Sequence, residues 1–134
     1  MTSTKYYTDR MRIFKNKAFN GWANDINMSD GDIWAAAEEI AAGKYEASLG
    51  QKVYKKRVAI GNTGKSGSTR TIVAFNVGDH VFFMYGFAKG KRANITPKEK
   101  KVLQKMASVY LGYSDKELNI AVKQKNLFEV ENNG

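Results

Sequence analysis

The residues of this sequence that could do chemistry are concentrated in one basic segment. Between Ala47 and Lys98 there are ten lysines and arginines and one acid, Asp79, whereas the rest of the chain has twelve basic and twelve acidic residues. One positive segment in a balanced chain is typical of a protein that binds a polyanion, because each neutralised phosphate releases condensed counterions. We therefore expect a nucleic-acid backbone as the partner; the alternative is a solvated basic face that serves solubility.

The spacing of these cations predicts that several of them share one end of a β-sheet. Alternate residues of a strand point to the same side, so Lys55 and Arg57 should point one way and Lys56 the other. Arg70 begins the next predicted strand, and Lys89 ends the third. If the three strands pair in order, the start of the second lies beside the end of the third. The sequence thus predicts that Arg70 meets the basic residues 89–92.

Such a cluster suits RNA cleavage in which the ribose 2′-hydroxyl attacks the neighbouring phosphorus. Arginine binds phosphate oxygens bidentately and stays charged, and a lysine crowded by cations can act as general base without histidine. Tyr85 could stack on a base or bind a phosphate. The hypothesis requires that these cations surround one phosphate and are not held in internal ion pairs. We predict catalytic roles for Lys55, Arg57, Arg70, Tyr85, Lys89 and Arg92, and RNA contacts for Lys52, Lys56, Lys65 and Lys91.

Other residues that attract attention have structural explanations. His80 directly follows the Gly78-Asp79 turn and is expected to be an exposed hairpin residue rather than a general acid. The aromatic residues at positions 82, 83 and 87 and the two tryptophans, at positions 22 and 34, are expected in the core, because their spacing matches buried faces. Lys98 and the lysines that follow it are expected on the solvated face of a helix.

The segment Ala59-Ile-Gly-Asn-Thr-Gly-Lys-Ser66 resembles a nucleotide-binding P-loop, with alanine in place of the first glycine. A P-loop requires a helix that starts at its Lys-Ser, because the helix N-terminus binds the phosphates. Here the residues that follow, Thr71-Ile-Val-Ala-Phe75, are β-branched and alternating, which predicts a strand. Nucleotide hydrolysis is therefore rejected.

The elements that must position the cluster can be predicted from caps, turns and periodicity. We expect an α+β fold of one domain over residues 1–134, with residues 1–10 as a flexible extension. Two helices precede an antiparallel meander, and two helices follow it. The predicted elements are a helix from Ala18 to Ile26, a helix from Ser29 to Gly43, strands Val53–Ile60, Arg70–Val77 and Val81–Ala88, helices from Thr96 to Gly112 and from Ser114, and an edge strand Leu127–Val130.

Composition excludes several functional classes. The chain has no cysteine and one histidine, so thiolate zinc sites, cysteine nucleophiles and histidine-rich metal sites are not available, and we expect no metal or other cofactor. No apolar stretch approaches the ~20 residues of a membrane span, and the first ten residues do not resemble a secretory signal. We therefore expect a cytoplasmic protein that does not bind membranes.

Five motifs in order, taken together, resemble the RelE/HigB-type toxins of bacterial type II toxin-antitoxin systems, within the RelE/ParE superfamily. The resemblance runs from about Met11 to Val130. The motifs are Lys55-Lys-Arg-Val-Ala59, Gly64-Lys-Ser-Gly67, Arg70-Thr-Ile-Val-Ala74, Phe83-Met-Tyr-Gly-Phe-Ala-Lys89 and Arg92-Ala-Asn-Ile95.

The resemblance implies a RelE-like fold, with N-terminal helices on a small antiparallel sheet and basic residues on its exposed concave side. It also implies metal-independent mRNA cleavage in the ribosomal decoding site, next to 16S rRNA, and a cognate antitoxin that is usually a helix-turn-helix protein. Arg70, Lys89, Arg92, Lys55 and Arg57 match basic positions of the family. One departure is the C-terminus, where several relatives have a tyrosine or histidine as acid and residues 127–131 offer neither. Tyr85, Lys65 or a ribosomal group remain as the acid.

Two other functions stay open. A ParE-type toxin would poison DNA gyrase on the same fold, because fold does not fix function. A non-catalytic module would use the same cations only for contacts to RNA or the ribosome.

Overall fold

Each helix in the described part of the chain begins at a polar side chain that caps it. The computed structural model describes residues 11–60 and 69–131. Asn16 caps the first of these helices, and Ser29, Thr96 and Ser114 form capping boxes with an acid three residues later, which satisfies backbone N–H groups of the first turn. The helices are Lys17–Asp25 (α1), Asp30–Ala41 (α2), Pro97–Leu111 (α3) and Asp115–Lys123 (α4).

The described residues also form a six-stranded sheet. In the sheet order β2-β3-β4-β5-β1-β6, the strands β3, β4 and β5 make the antiparallel meander that the sequence predicts, and β6 is the predicted edge strand. The fold is α+β and RelE-like, as expected. The strands are Ile13–Asn16 (β1), Ala47–Ser48 (β2), Val53–Val58 (β3), Thr69–Phe75 (β4), Val81–Ala88 (β5) and Leu127–Glu129 (β6).

The sheet differs from the expectation because it is mixed. β1 lies between β5 and β6 and pairs with β5 in parallel, with Phe14 opposite Phe82. All four residues of β1 are buried, since helices cover both faces of the sheet here. A strand of four residues buried on both faces does not alternate in polarity, which is why its pattern gives no signal.

Helices cover both faces of the sheet. On one face α1 and α2 pack against Val58, Val73 and Phe83. On the other face α3 and α4 pack against Ile72 and Met84, so this second face is not the open concave surface that we expected. What remains uncovered on the second face is its end at Arg57, where the basic residues lie.

Gly86 in β5 allows Trp22 of α1 to lie directly on the strand. A Cβ atom added to Gly86 would stand within 2.6 Å of three carbons of the Trp22 ring, which no pair of carbon atoms tolerates. Trp22 and Trp34 both pack against the core formed by the first face, as the helical spacing predicts. The close approach of ring and backbone fixes α1 behind the strand that carries Tyr85 and Phe87.

Gly86→Ala is therefore expected to destabilise the protein by about 1–3 kcal/mol, the usual cost of overpacking. Urea denaturation should measure this loss. Gly90→Ala is the matched control, because an added Cβ there meets nothing within 4 Å. Combining Gly86→Ala with Trp22→Leu should cost less than the two single changes together. Equal free energies of unfolding for the Gly86 and Gly90 variants would show that the Trp22 ring does not lie against the backbone at Gly86.

Candidate RNA-binding and catalytic face

The strand register brings four of the predicted site residues into two adjacent rows on the second face. Arg57 lies opposite Arg70, and Arg70 lies opposite Phe87 on the next strand. In the neighbouring row, Lys55 and Tyr85 flank Ile72. Side chains directly opposite each other have Cβ atoms about 5 Å apart. The meander therefore brings Lys55, Arg57, Arg70 and Tyr85 together; the alternation predicts the shared face of Lys55 and Arg57.

Arg92 closes this cluster from the connection between β5 and α3. Its guanidinium carbon lies 5.5 Å from the centre of the Phe87 ring, and its Nη1 donates to the Tyr85 hydroxyl at 3.1 Å. Nε donates to the Asn94 carbonyl at 3.0 Å, and the fork forms an ion pair with Glu99 at 2.5 Å. Hydrogen bonding to Glu99 raises the pKa of Arg92. Arg92 is thus fixed in place, but most of its donors are used within the protein.

Lys55 has a neutral partner. Its Nζ donates to Oδ1 of Asn94 at 2.7 Å, which ties β3 to the connection before α3. A lysine ammonium has three donors, and a single amide oxygen does not neutralise its charge. Lys55 therefore keeps a positive charge and further donors for a ligand.

Arg70 is the most enclosed cation of the cluster. It is only 6% exposed, and its Nε forms an ion pair with Oε1 of Glu46 at 2.7 Å. Its Nη1 is buried and has no hydrogen-bond partner in the part of the chain that the structure describes. An unsatisfied buried donor costs free energy, so such a group in a native protein needs an explanation.

Arg57 is exposed, and within residues 11–60 and 69–131 its side chain has neither an ion-pair nor a hydrogen-bond partner. It lies opposite Arg70, and like charges opposite each other in a sheet are destabilising. Lys89 and Lys91 are also exposed, in the turn that follows β5. An anionic ligand at this end of the sheet would relieve the repulsion between the two arginines.

The internal ion pairs are a partial correction to our expectation. We required cations free of such pairs, and Arg70 and Arg92 do not meet this condition, since Glu46 and Glu99 hold them. Lys55 and Arg57 do meet it. The two glutamates and Asn94 were not singled out in the sequence, because nothing in the pattern shows which residue of a connection folds back onto a sheet.

Two of the predicted RNA contacts do not join the cluster, and a third lies outside the described residues. Lys56 lies on the opposite face, where it is nearly buried and forms an ion pair with Glu39 of α2 at 2.6 Å. Lys52 is exposed in the turn before β3, at the other end of that strand from Arg57. Lys65, with most of the P-loop-like segment, lies outside the described residues. Lys91 is therefore the one predicted RNA contact that the structure places beside the cluster.

The C-terminal strand and His80 lie away from this site. β6 is the edge strand opposite β2, with β1 and β5 between it and β4. Nδ1 of His80 accepts a hydrogen bond from the backbone N–H of Arg12, and the ring packs edge-on to Phe14. His80 is more buried than expected, and it precedes β5 at the strand end remote from Phe87. Neither element can supply an acid to the cluster.

Glu99 gives the cluster a measurable pH dependence. The hydrogen bond from Arg92 and that from the backbone of Thr96 lower the pKa of Glu99 from its ordinary 4.5 to about 2. A carboxyl group with a depressed pKa in the folded state stabilises the fold above its unfolded pKa and loses that contribution as the pH falls. The stabilisation by Glu99 should thus be complete above about pH 4.5 and vanish near pH 2.

We expect Glu99→Gln to lower the melting temperature at pH 6 and to match the unsubstituted protein near pH 2. Glu117→Gln is the control, because Glu117 has the same capping-box position in α4 and no arginine partner there. Thermal unfolding of the three proteins between pH 2 and pH 7 tests this. A deficit of the Glu99 variant that does not change with pH would show that the ion pair with Arg92 contributes nothing.

Most of the chain matches a known protein family. Residues 11–130 match the family described as the RelE toxin of the RelE / RelB toxin-antitoxin system. No curated protein matches the sequence. The described residues contain no group of three histidines, aspartates or glutamates that could hold a metal ion, and none of their helices is long and apolar enough to cross a membrane.

Proposed function

Because the chain belongs to the RelE toxin family and is the toxin of a toxin-antitoxin system, we propose that it is a ribosome-dependent endoribonuclease that cuts translated mRNA. In this proposal the 2′-hydroxyl of one nucleotide gives its proton to a general base and attacks the adjacent phosphorus. The P–O5′ bond breaks as a 2′,3′-cyclic phosphate forms, and a general acid delivers a proton to the leaving 5′ oxygen. No metal takes part. Cleavage of the mRNA in the decoding site stops its translation.

The observation that carries the proposal is the pairing of Arg57 with Arg70 across β3 and β4. Two arginines opposite each other are unfavourable in a free protein and favourable around an anion. With Lys55 in the next row, three cations lie at the uncovered end of the face. This arrangement fits the phosphate oxygens of a transition state, on which negative charge accumulates.

The contacts support different roles for the members of the cluster. We assign phosphate contact to Arg57 and Lys55, which have no carboxylate partner among the described residues. Arg70 is a fixed, buried cation behind them that adds to the positive charge of the cluster, and its Nη1 has no partner among the described residues. Arg92 is a positioning residue for Tyr85, and Lys89 and Lys91 contact the RNA backbone beside the scissile bond. Lys56 and Lys52 are not assigned to the site.

Tyr85 is the best-placed proton donor. Its oxygen accepts a hydrogen bond from Arg92, which leaves its own O–H free to donate a proton to a leaving oxygen. Tyrosine can act as general acid, and the positive charge of Arg92 stabilises the phenolate that proton donation leaves behind. This assignment replaces the C-terminal tyrosine or histidine of relatives, since β6 lies beyond two other strands.

The partners follow from the same proposal. The substrate is mRNA in the decoding site of the cytoplasmic ribosome, where the exposed lysines also contact 16S rRNA phosphates. A cognate antitoxin is implied by the family, and we propose that it is a helix-turn-helix protein.

Mapping of transcript ends after brief induction tests this function. Primer extension should find new 5′ ends at codon-linked positions inside translated frames, and none in the same RNA when its start codon is removed. Purified toxin should cut mRNA on programmed ribosomes and leave free RNA intact. Intact mRNA with stable ribosome binding would instead favour a non-catalytic module, and DNA damage without cleavage would favour a gyrase poison.

A further inference from the structure

Two adjoining grooves run along α3, outside the basic face. The first has a volume of about 390 Å³ and lies between β5 and the first half of α3; the second, of about 550 Å³, lies between the start of α1 and the ends of α3 and α4. Ala18 lines both of them, so they form one continuous surface, which we call the α3 groove. Its apolar lining includes Met84, Val102, Leu103, Met106, Tyr110, Tyr113, Ile120 and Leu127.

The α3 groove exposes large apolar side chains that the fold itself does not cover. Val102 is 52% exposed and Ile120 is 46% exposed, one in each half of the groove. Between them Met106, Tyr110 and Tyr113 are only partly buried. The α3 members recur at helical spacing and form a stripe along one side of the helix. Single exposed apolar residues are ordinary, but a connected stripe in a groove marks an interaction surface.

The charges that line the groove favour an acidic partner. Glu99 is paired with Arg92, and Glu117 accepts a hydrogen bond from the backbone of Ser114. Lys17 and Lys98 also line the groove, and neither has an ion-pair partner in the described parts of the chain. Glu117 keeps its charge, so Lys17 and Lys98 outweigh one carboxylate and the net charge left for a partner is positive. Acidic side chains at the flanks of an apolar stripe would complement it.

The shape of the groove suits a helix. Its first half is lined by α1, β5 and α3, and β5 is paired on both sides, so this half offers no free strand edge to which an extended segment could add. Its second half is lined by the start of α1, the ends of α3 and α4 and the start of β6. From position 102 to position 110, α3 rises by about 12 Å, or just over two turns. An amphipathic helix of two to three turns could place apolar residues along this length, spaced by three and four.

We infer that the α3 groove is the docking site for an amphipathic helix of the cognate antitoxin, apolar on one side and acidic at its flanks. The groove ends at Tyr85 and Glu99, which also belong to the basic face. A helix seated there would stand beside Arg92 and exclude RNA from the cluster. That inhibition rests on the proposed nuclease function, whereas the docking site rests only on membership of a toxin-antitoxin family.

A site-specific thiol tests the docking site directly, because the chain has no cysteine of its own. Val102→Cys places a thiol in the groove, and Val77→Cys places one in the turn before β5, where Val77 is 87% exposed. The probe is the antitoxin protein encoded with this toxin, added until gel filtration shows a saturated complex. We expect a maleimide to react at least 10-fold more slowly at position 102 in the complex and at the same rate at position 77.

Introducing a charge into the groove provides an independent measurement. Val102→Glu should weaken antitoxin binding at least 10-fold by titration calorimetry, and Val77→Glu should not change it. Both variants should keep full mRNA cleavage if the nuclease proposal holds, since neither valine is assigned to the basic cluster. An unprotected thiol and unchanged affinity at position 102 would overturn the docking site. Protection by ribosomes and not by antitoxin would also overturn it. None of these readouts requires the toxin to be a nuclease.

Discussion

Replacing Arg57 with alanine is expected to lower ribosome-dependent mRNA cleavage about 100-fold, the usual cost of removing one preorganised donor to transition-state charge. The side chain is exposed and has no partner among the described residues, so its loss should leave the free energy of unfolding nearly unchanged. The free energy of unfolding should even rise slightly, because the repulsion between Arg57 and Arg70 disappears. Cleavage rates on programmed ribosomes and urea denaturation of the same preparations measure the two effects.

Lys52→Ala is the matched control for Arg57→Ala. Lys52 precedes the same strand and is equally exposed, but it lies at the end of β3 away from the cluster. Its removal should change cleavage less than 3-fold, as loss of one general electrostatic contact does at moderate salt. Arg57→Lys should fall between the two, because an ammonium keeps the charge and loses the bidentate fork. Equal losses for Arg57→Ala and Lys52→Ala would mean that only overall charge matters.

Local signals in the sequence predicted most of the scaffold. The caps Ser29, Thr96 and Ser114 each bind the third residue of the helix that follows, and the helices begin where these residues predict. The meander was predictable for the same reason, since its strands alternate and short turns join them. Elements defined by neighbours in the chain can be predicted from the chain alone.

β1 was missed because its partners are remote in sequence. Ile13 pairs with Val81 and Phe14 with Glu129, so the strand exists only because two distant segments meet around it. Its four residues lead directly into α1, whose cap is the last residue of the strand, Asn16. A periodicity analysis has too few residues there to separate a strand from the first turn of the helix.

The cluster itself was predictable to the level of register and no further. Alternation and strand order place Lys55, Arg57 and Arg70 on one face, because both depend only on backbone geometry. The carboxylates that bind two of the arginines come from connections, where a side chain's direction depends on how the loop folds. Lys56 is an example: its charge belongs to the basic segment of the sequence, but in the structure its side chain is on the other face of the sheet, where it forms an ion pair with Glu39.

Removing Arg70 is expected to abolish cleavage, with a loss of more than 100-fold, while the protein stays folded. Arg70→Met is the better test than Arg70→Ala, because methionine keeps most of the buried side-chain volume and leaves no cavity beside Phe87. Glu46, which loses its partner, is 37% exposed and can turn towards water. The variant also removes the buried Nη1 that has no partner in the described structure.

Stability separates a functional role of Arg70 from a structural one. Exchanging a buried ion pair for apolar packing is often neutral or stabilising, so Arg70→Met should unfold within about 1 kcal/mol of the unsubstituted protein, or at higher urea. Glu46→Gln should have the opposite combination, with lower stability and retained cleavage activity. It leaves the guanidinium enclosed without a counter-charge, which costs about 1–3 kcal/mol, and it keeps the cation that the phosphate needs.

A stable, inactive Arg70→Met together with a less stable, active Glu46→Gln would identify the arginine as retained for RNA. If Arg70→Met unfolds readily and its folded fraction still cuts mRNA, Arg70 serves the fold, and the phosphate site must be built without it.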